Sequence, residues 1–104
     1  MNYDDPAILA ALDEAWDPDL GFLGRLREQV FDPTLAAAYM DLLASIEIDE
    51  SENISSEFVK LLWFAPLFVE WQIERVVNAG GDEAQVRHYS DAIRERVMEI
   101  LGTP

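Results

Sequence analysis

Residues 55–78 constrain the fold more than any other part of the chain. Their apolar side chains recur at intervals of three and four residues, the spacing of one helix face, and strand-like alternation is nearly absent. Further apolar residues make the middle of this segment hydrophobic nearly all round. The pattern predicts a central helix that neighbours cover on several sides. The first face comprises Phe58, Leu61, Leu62, Ala65, Phe68, Val69, Ile73 and Val76, and the additional residues are Val59, Trp63, Leu67 and Trp71.

Pro66 stands in the middle of this predicted helix. Proline has no backbone N–H and its ring crowds the preceding turn, so we expect a kink that frees the carbonyl of Leu62. The pair Gly80-Gly81 is typical of a helix C-terminus. The sequence thus predicts one long, Pro-kinked apolar helix that ends near residue 78.

Two further helices are predicted from their first residues. Asp5-Pro6 and Asp32-Pro33 each place a capping aspartate before a proline at the first helical position. The apolar residues that follow have helical spacing and predict helices over residues 5–16 and 32–46.

The remaining helices are predicted over residues 20–30 and 82–101. Gly24 costs the first of them about 1 kcal/mol relative to alanine, which indicates support from tertiary packing or a close approach of another element. Asp82, with Gln85 three residues on, begins the second like a capping box. We therefore expect an all-α, single-domain bundle of about five helices over residues 1–104, with the Pro-kinked helix at its centre.

Composition limits the chemistry and the compartment. Half of the residues are hydrophobic, which is enough for a core, and there is no cysteine for a disulfide, a thiolate zinc site or a cysteine nucleophile. The first residues are acidic where a signal peptide would be basic. The longest apolar run, residues 61–69, is far shorter than a membrane span. We expect a cytoplasmic protein, most simply a monomer.

The acidic residues are concentrated in one half of the chain. The net charge is −14 over 104 residues. Residues 1–57 carry 14 acidic side chains against two arginines, whereas residues 58–104 carry 7 against five basic side chains. Such a protein repels nucleic acid and anionic membranes and attracts basic protein surfaces. The expected partner is therefore a basic protein, and neither nucleic acid nor a membrane.

His88, the single histidine, is the first candidate for catalysis. Asp91 lies three residues on and could pair with it, but no serine stands in a nucleophile setting. Helix-bundle metal sites need Glu-x-x-His pairs, and the residue three before His88 is Gln85. The acidic run near residue 50 lacks the central glycine of a calcium loop, and there is no glycine-rich phosphate loop. We expect neither an enzyme nor a bound metal or cofactor.

Two groups of residues are candidates for contacts with a partner. Residues 47–56 predict an acidic loop, for which an ordinary solvated connection is the alternative. Trp63 and Trp71 lie near one face of the central helix and either pack in the core or form an exposed anchor surrounded by carboxylates. The candidate partner-binding residues are Asp41, Glu47, Asp49, Glu50 and Glu52 in the first group and Glu70, Trp71 and Glu74 in the second.

Three segments carry a resemblance to a known family. They are GFLGRLRE at residues 21–28 followed by Phe31-Asp32, LLASI at residues 42–46, and LLWFAP at residues 61–66. In these segments the chain resembles small helical immunity proteins, which accompany bacterial polymorphic and contact-dependent growth-inhibition toxins. The resemblance implies a non-enzymatic inhibitor that binds one cognate toxin domain, often a basic nuclease.

Other classes of function compete with this interpretation. A nucleic-acid mimic or acidic adaptor would bind another basic protein, and a structural protein would self-associate through the central helix. A neighbouring gene for a secreted toxin with a basic C-terminal domain favours immunity. Co-purification with a repressor or a histone-like protein favours mimicry, and a mass that rises with concentration favours self-association.

Overall fold

The chain folds into a bundle of helices. The structure, a computed structural model, describes Tyr3, residues 5–48 and residues 53–103. This part of the chain contains no β-strand, which confirms the all-α prediction. Its six helices are α1 (Pro6–Glu14), α2 (Phe22–Arg27), α3 (Pro33–Ser45), α4 (Ser56–Leu62), α5 (Ala65–Asn78) and α6 (Glu83–Leu101).

Capping residues begin three of the helices where the sequence predicts. The carboxylates of Asp5, Asp32 and Asp82 each accept a hydrogen bond from a backbone N–H two or three residues on, at 2.8 to 3.2 Å. These bonds satisfy N–H groups that have no partner inside the helix. Gly80, with φ 109°, follows the end of α5 as expected, because glycine adopts this backbone conformation without steric cost.

Near the predicted kink at Pro66 the helix is divided into two helices. α4 ends at Leu62, Trp63 and Phe64 form a turn, and α5 begins at Ala65. Pro66 is the second residue of α5. A missing N–H costs nothing in the first turn of a helix, which is where Pro66 lies. Trp63 and Phe64 keep right-handed helical backbone angles, so the regular hydrogen bonding is interrupted without a change of backbone region.

The outer side of α4 and α5 is not covered, which corrects the prediction of a helix enclosed on several sides. The inner face is buried as predicted, with Phe58, Phe68 and Val69 in the core. The Cα atoms, however, extend over only 43 × 29 × 19 Å. The shortest of these dimensions accommodates two layers of helices, since packed helix axes lie about 8–10 Å apart. In two layers each helix keeps one side in solvent.

The close approach that Gly24 suggested occurs between α1 and α2. The N–H groups of Leu23 and Gly24 donate to the carbonyl of Ala15 at 2.9 and 3.1 Å. A Cβ atom on Gly24 would collide with the carbonyl of Asp17. The start of α2 therefore caps the end of α1, which fixes the turn that carries Trp16.

α2 is shorter than predicted at its C-terminal end. Gln29 has a φ of 66°, in the left-handed region, and the N–H of Val30 donates to the carbonyl of Arg25 at 3.0 Å. This bond belongs to a Schellman motif, which ends the helix. The sequence offered no glycine there to predict the stop.

Helix packing determines which surfaces are available for binding. α5 packs most extensively against α6 and also contacts α2, whereas α3 packs against α6 and α1 packs against α4. α5 therefore buries the side that carries Phe68, Val69, Ile73 and Val76. The opposite side of α5 is left to solvent.

Candidate functional site

Three large apolar side chains are exposed on the outer side of α4 and α5. Trp63, Leu67 and Trp71 are 50%, 42% and 62% exposed, and they are spaced four residues apart. We call these three residues the apolar ridge. Of the two interpretations that the sequence left open for the tryptophans, the structure therefore favours the exposed one. Tryptophan exposed to this extent is enriched at protein interfaces, where its large ring and polar N–H both find partners.

Phe64 supports the ridge from beneath. Its ring centroid lies 5.5 Å from that of Trp63 and 5.4 Å from that of Trp71. It also contacts Phe68 at 6.0 Å and Trp16 at 6.1 Å. Both exposed indoles are thus joined to the aromatic cluster through one half-buried ring.

At the Trp16 end of this aromatic cluster, a backbone carbonyl and an arginine of the chain contact the rings. The indole Nε1 of Trp16 donates to the carbonyl of Leu61 at 3.2 Å. The guanidinium of Arg27 lies over Trp16 and Phe68, with Cζ 5.9 and 5.2 Å from the two ring centroids. Trp16 therefore packs at the end of α1 as predicted, while Trp63 and Trp71 have no such cover in the described structure.

Two exposed carboxylates flank the ridge. Glu70 and Glu74 lie four residues apart on α5, so they are neighbours on the helix surface. Within the described part of the chain neither has an ion-pair partner. The nearby guanidinium of Arg75 donates instead to Gln72, at 2.8 Å. The structure thus brings Glu70, Trp71 and Glu74 together on one surface, as the sequence predicted for this group.

The acidic segment after α3 is the other candidate region. Asp41 on α3 and Glu47 beyond it are exposed. The predicted partner-binding residues Asp49, Glu50 and Glu52 lie outside the described residues.

Both ends of the acidic segment are tied to the body of the protein. Arg96 of α6 donates from Nε to the carbonyl of Leu43 at 3.0 Å and from Nη2 to that of Ile46 at 2.8 Å. The hydroxyl of Tyr3 donates to the carbonyl of Asn53 at 2.6 Å. Arg96 thereby caps the C-terminal end of α3, whose last carbonyls have no partner inside the helix.

A small cleft of about 270 Å³ lies between α1, the start of α2 and α3. Its walls are mainly apolar, and they include the side chain of Tyr39. The Tyr39 hydroxyl is buried and has no hydrogen-bond partner among the described residues, and burial raises the pKa of this phenol well above its ordinary value of 10.0. The phenol is therefore uncharged at neutral pH and is not suited to act as a base.

The pair of His88 and Asp91 that the sequence allowed does not form in the described structure. The Asp91 carboxylate pairs with Arg94 at 3.2 Å, and the His88 ring packs against Tyr89. The described residues contain no cluster of three or more potential metal ligands. In the same part of the chain, no helix combines the length and hydropathy that a membrane span requires.

Sequence reasoning missed three residues that build this surface. Phe64 reads as one more apolar residue, and only the turn beside Pro66 places its ring between Trp63 and Trp71. Arg27 and Arg96 read as surface charges, although each contacts an element distant in sequence. No local pattern announces such long-range contacts.

Comparison with known proteins adds no relative. No family model matches the chain, and neither a curated protein nor a solved structure matches it. An assignment of function therefore depends on the sequence and on the surface described above.

Proposed function

We propose that this protein is an immunity protein that neutralises a cognate toxin domain by binding it. The observation that carries the proposal is the large excess of acidic side chains over basic ones, 21 against 7. The net charge is −14, and the three ion pairs of the described residues all lie within α6. A protein of this kind attracts a basic partner over a distance set by ionic strength.

Fast association suits an inhibitor of this kind. Complementary charge raises association rates toward about 10⁸–10⁹ M⁻¹s⁻¹ at low salt, because it steers the two proteins as they diffuse together. A toxin must be captured before it acts, so speed matters as well as affinity. Toxins that act on nucleic acid need basic clefts for the phosphates, and carboxylates of the inhibitor can occupy such a cleft.

The proposal is tested with the C-terminal domain of the toxin encoded beside this gene. Asp49, Glu50 and Glu52 are replaced together by Asn and Gln, and the association rate is measured at several salt concentrations. We expect slower association and a shallower salt dependence. The matched control, E83Q/D91N/E99Q, removes the same number of carboxylates from the paired positions of α6 and should have a smaller effect.

Two results would contradict parts of the proposal. Absence of binding by the wild-type protein would discard the immunity function. Unchanged association by the Asp49, Glu50 and Glu52 variant would move the interface away from the acidic segment, most plausibly to Glu70, Trp71 and Glu74. Binding of a repressor or histone-like protein in place of a toxin would favour the nucleic-acid mimic.

A further inference from the structure

We infer that the apolar ridge and its two carboxylates form a docking site for an arginine-bearing segment of the partner protein. The inference rests on the proposed function insofar as it takes the partner to be basic. In this arrangement the guanidinium groups stack on Trp63 and Trp71 and pair with Glu70 and Glu74. The apolar part of the segment covers Leu67.

The spacing on α5 places the required groups side by side. Leu67 is three residues from Glu70 and four from Trp71, and Glu74 is four from Glu70 and three from Trp71. Residues at these separations are neighbours on a helix surface, so the four side chains form one continuous patch. An apolar pair thus lies beside an acidic pair, which matches a long side chain with an apolar stem and a cationic end.

The patch is arranged before binding. Both exposed indoles contact the half-buried ring of Phe64, at 5.5 Å for Trp63 and 5.4 Å for Trp71. Their indole N–H groups have no acceptor in the described structure, unlike that of Trp16. A partner therefore finds two nearly fixed rings and two free donors, and it does not have to order them first.

The chain contains an internal example of the proposed contact. Arg27 lies over the rings of Trp16 and Phe68 at the inner end of the same aromatic cluster. A guanidinium is planar and weakly hydrated, so it stacks on aromatic faces and binds a carboxylate through two N–H groups. An ammonium group lacks this geometry, and for that reason we assign arginine and not lysine to the partner.

A second copy of the chain is a poorer occupant of this surface. A symmetric dimer through the ridge would bring the Glu70 and Glu74 side chains of two molecules together, each molecule carrying a net charge of −14. Like charges across an interface are unfavourable and suppress such pairing. A basic partner neutralises the same groups.

The test uses the three indole N–H signals of the labelled protein in NMR spectra. The probes are three synthetic amphipathic helical peptides of leucine and alanine, with arginine, lysine or glutamine on the polar face. We expect the arginine peptide to shift the signals of Trp63 and Trp71 and to leave that of Trp16 unchanged. The lysine peptide should bind more weakly, and the glutamine peptide should not bind measurably.

Variants locate the binding site. Trp71→Ala should weaken binding of the arginine peptide about tenfold or more, as expected for a central aromatic anchor. E70Q/E74Q should weaken it at low salt and reduce its salt dependence. The control Met98→Ala changes another large exposed apolar residue, on α6, and should leave binding unchanged.

Three outcomes would overturn the inference. They are an absence of shifts at Trp63 and Trp71, equal binding of the arginine and lysine peptides, and a wild-type dimer that Trp71→Ala dissociates. The toxin domain separates this inference from the proposed function. Equal toxin binding by wild type and Trp71→Ala contradicts the docking site alone, whereas peptide binding without toxin binding contradicts the immunity function alone.

Discussion

α5 and α6 pack against each other, but their outer faces balance charge differently. On α6, Arg87, Arg94 and Arg96 pair with carboxylates three or four residues away, at 3.1 to 3.2 Å. On α5, Glu70 and Glu74 stand beside Leu67 and Trp71 without an ion-pair partner in the described residues. On the outer face of α6, each arginine therefore has a carboxylate of the same helix as its partner. The outer face of α5 carries exposed apolar area and charge that no described residue covers or pairs.

The largest expected effect separates the two sides of α5. Phe68→Ala should lower the free energy of unfolding by about 3–5 kcal/mol, because Phe68 is buried in the core. Trp71→Ala should cost only about 1 kcal/mol, most of it from the lost contact with Phe64. Urea unfolding followed by circular dichroism measures both. Equal losses for the two variants would show that Trp71 serves stability and would remove the contrast between the faces.

A second test asks whether the arginines of α6 are equivalent. Arg96→Gln should lower the free energy of unfolding by about 1–3 kcal/mol, because the carbonyls of Leu43 and Ile46 each lose the hydrogen bond that they accept from the guanidinium. Arg94→Gln breaks only an exposed pair and should cost less than about 1 kcal/mol. Arg96→Lys should recover little of the loss, since lysine lacks the planar fork of donors. Full recovery by lysine would assign the effect to charge alone.

A third test extends the comparison from unpaired surface charge to an unpaired group in the core. Tyr39→Phe removes a buried hydroxyl without a partner, so it should raise the free energy of unfolding by about 1 kcal/mol at neutral pH. Burial raises the pKa of the Tyr39 phenol above its ordinary 10.0, so the unfolded state loses this proton first as the pH rises.

The pH dependence of this variant has a definite sign. Below pH 10 the Tyr39 phenol is neutral in both the folded and the unfolded state, so it makes no pH-dependent contribution. Above pH 10 the unfolded state loses the proton and the folded state keeps it, so the free energy of unfolding of the wild type declines. The advantage of Tyr39→Phe over the wild type should therefore grow above pH 10, as measured by thermal unfolding. Destabilisation by phenylalanine at neutral pH would mean that the hydroxyl binds a partner, such as a buried water.

The smallest expected effect tests the contrast of α5 and α6 most directly, because the two changes have opposite signs. Glu83→Gln breaks the pair with Arg87 and should destabilise the protein by about 0.3–0.5 kcal/mol. Glu70→Gln relieves repulsion from Glu74 and should stabilise it by about 0.2–0.5 kcal/mol. Melting temperatures at low salt measure the difference, which added salt should reduce. The same sign for both changes would contradict the different charge balance of the two helices.

Much of the fold was predictable because its causes are local. Asp5, Asp32 and Asp82 cap helices through N–H groups two or three residues away, and this requires only the right residue at the right position. The sequence predicted the position at which Pro66 interrupts the helix, but it did not predict that two separate helices would result. Either a kink or a new helix accommodates a proline, and the choice depends on what packs beneath it.

The candidate site was predictable only in part. Glu70, Trp71 and Glu74 share a surface because their separations along α5 require it. The exposure of Trp63 and Trp71 did not follow from their spacing, since an apolar stripe is equally compatible with a core. The contact of Arg96 with Ile46 joins residues 50 positions apart, and no sequence pattern encodes such a pair.

The sequence by itself determined the helical class, most of the helix starts and the sign of the net charge. These properties depend on local hydrogen bonds, on the period of apolar residues and on total charge. Only the tertiary structure decided which apolar side chains stay in solvent and which arginines contact elements distant in sequence. The physical reason is that burial is set by the number and placement of neighbouring helices. In a bundle of two layers, the facing layer covers the inner side of α5. Its outer side, with the apolar ridge, stays in water.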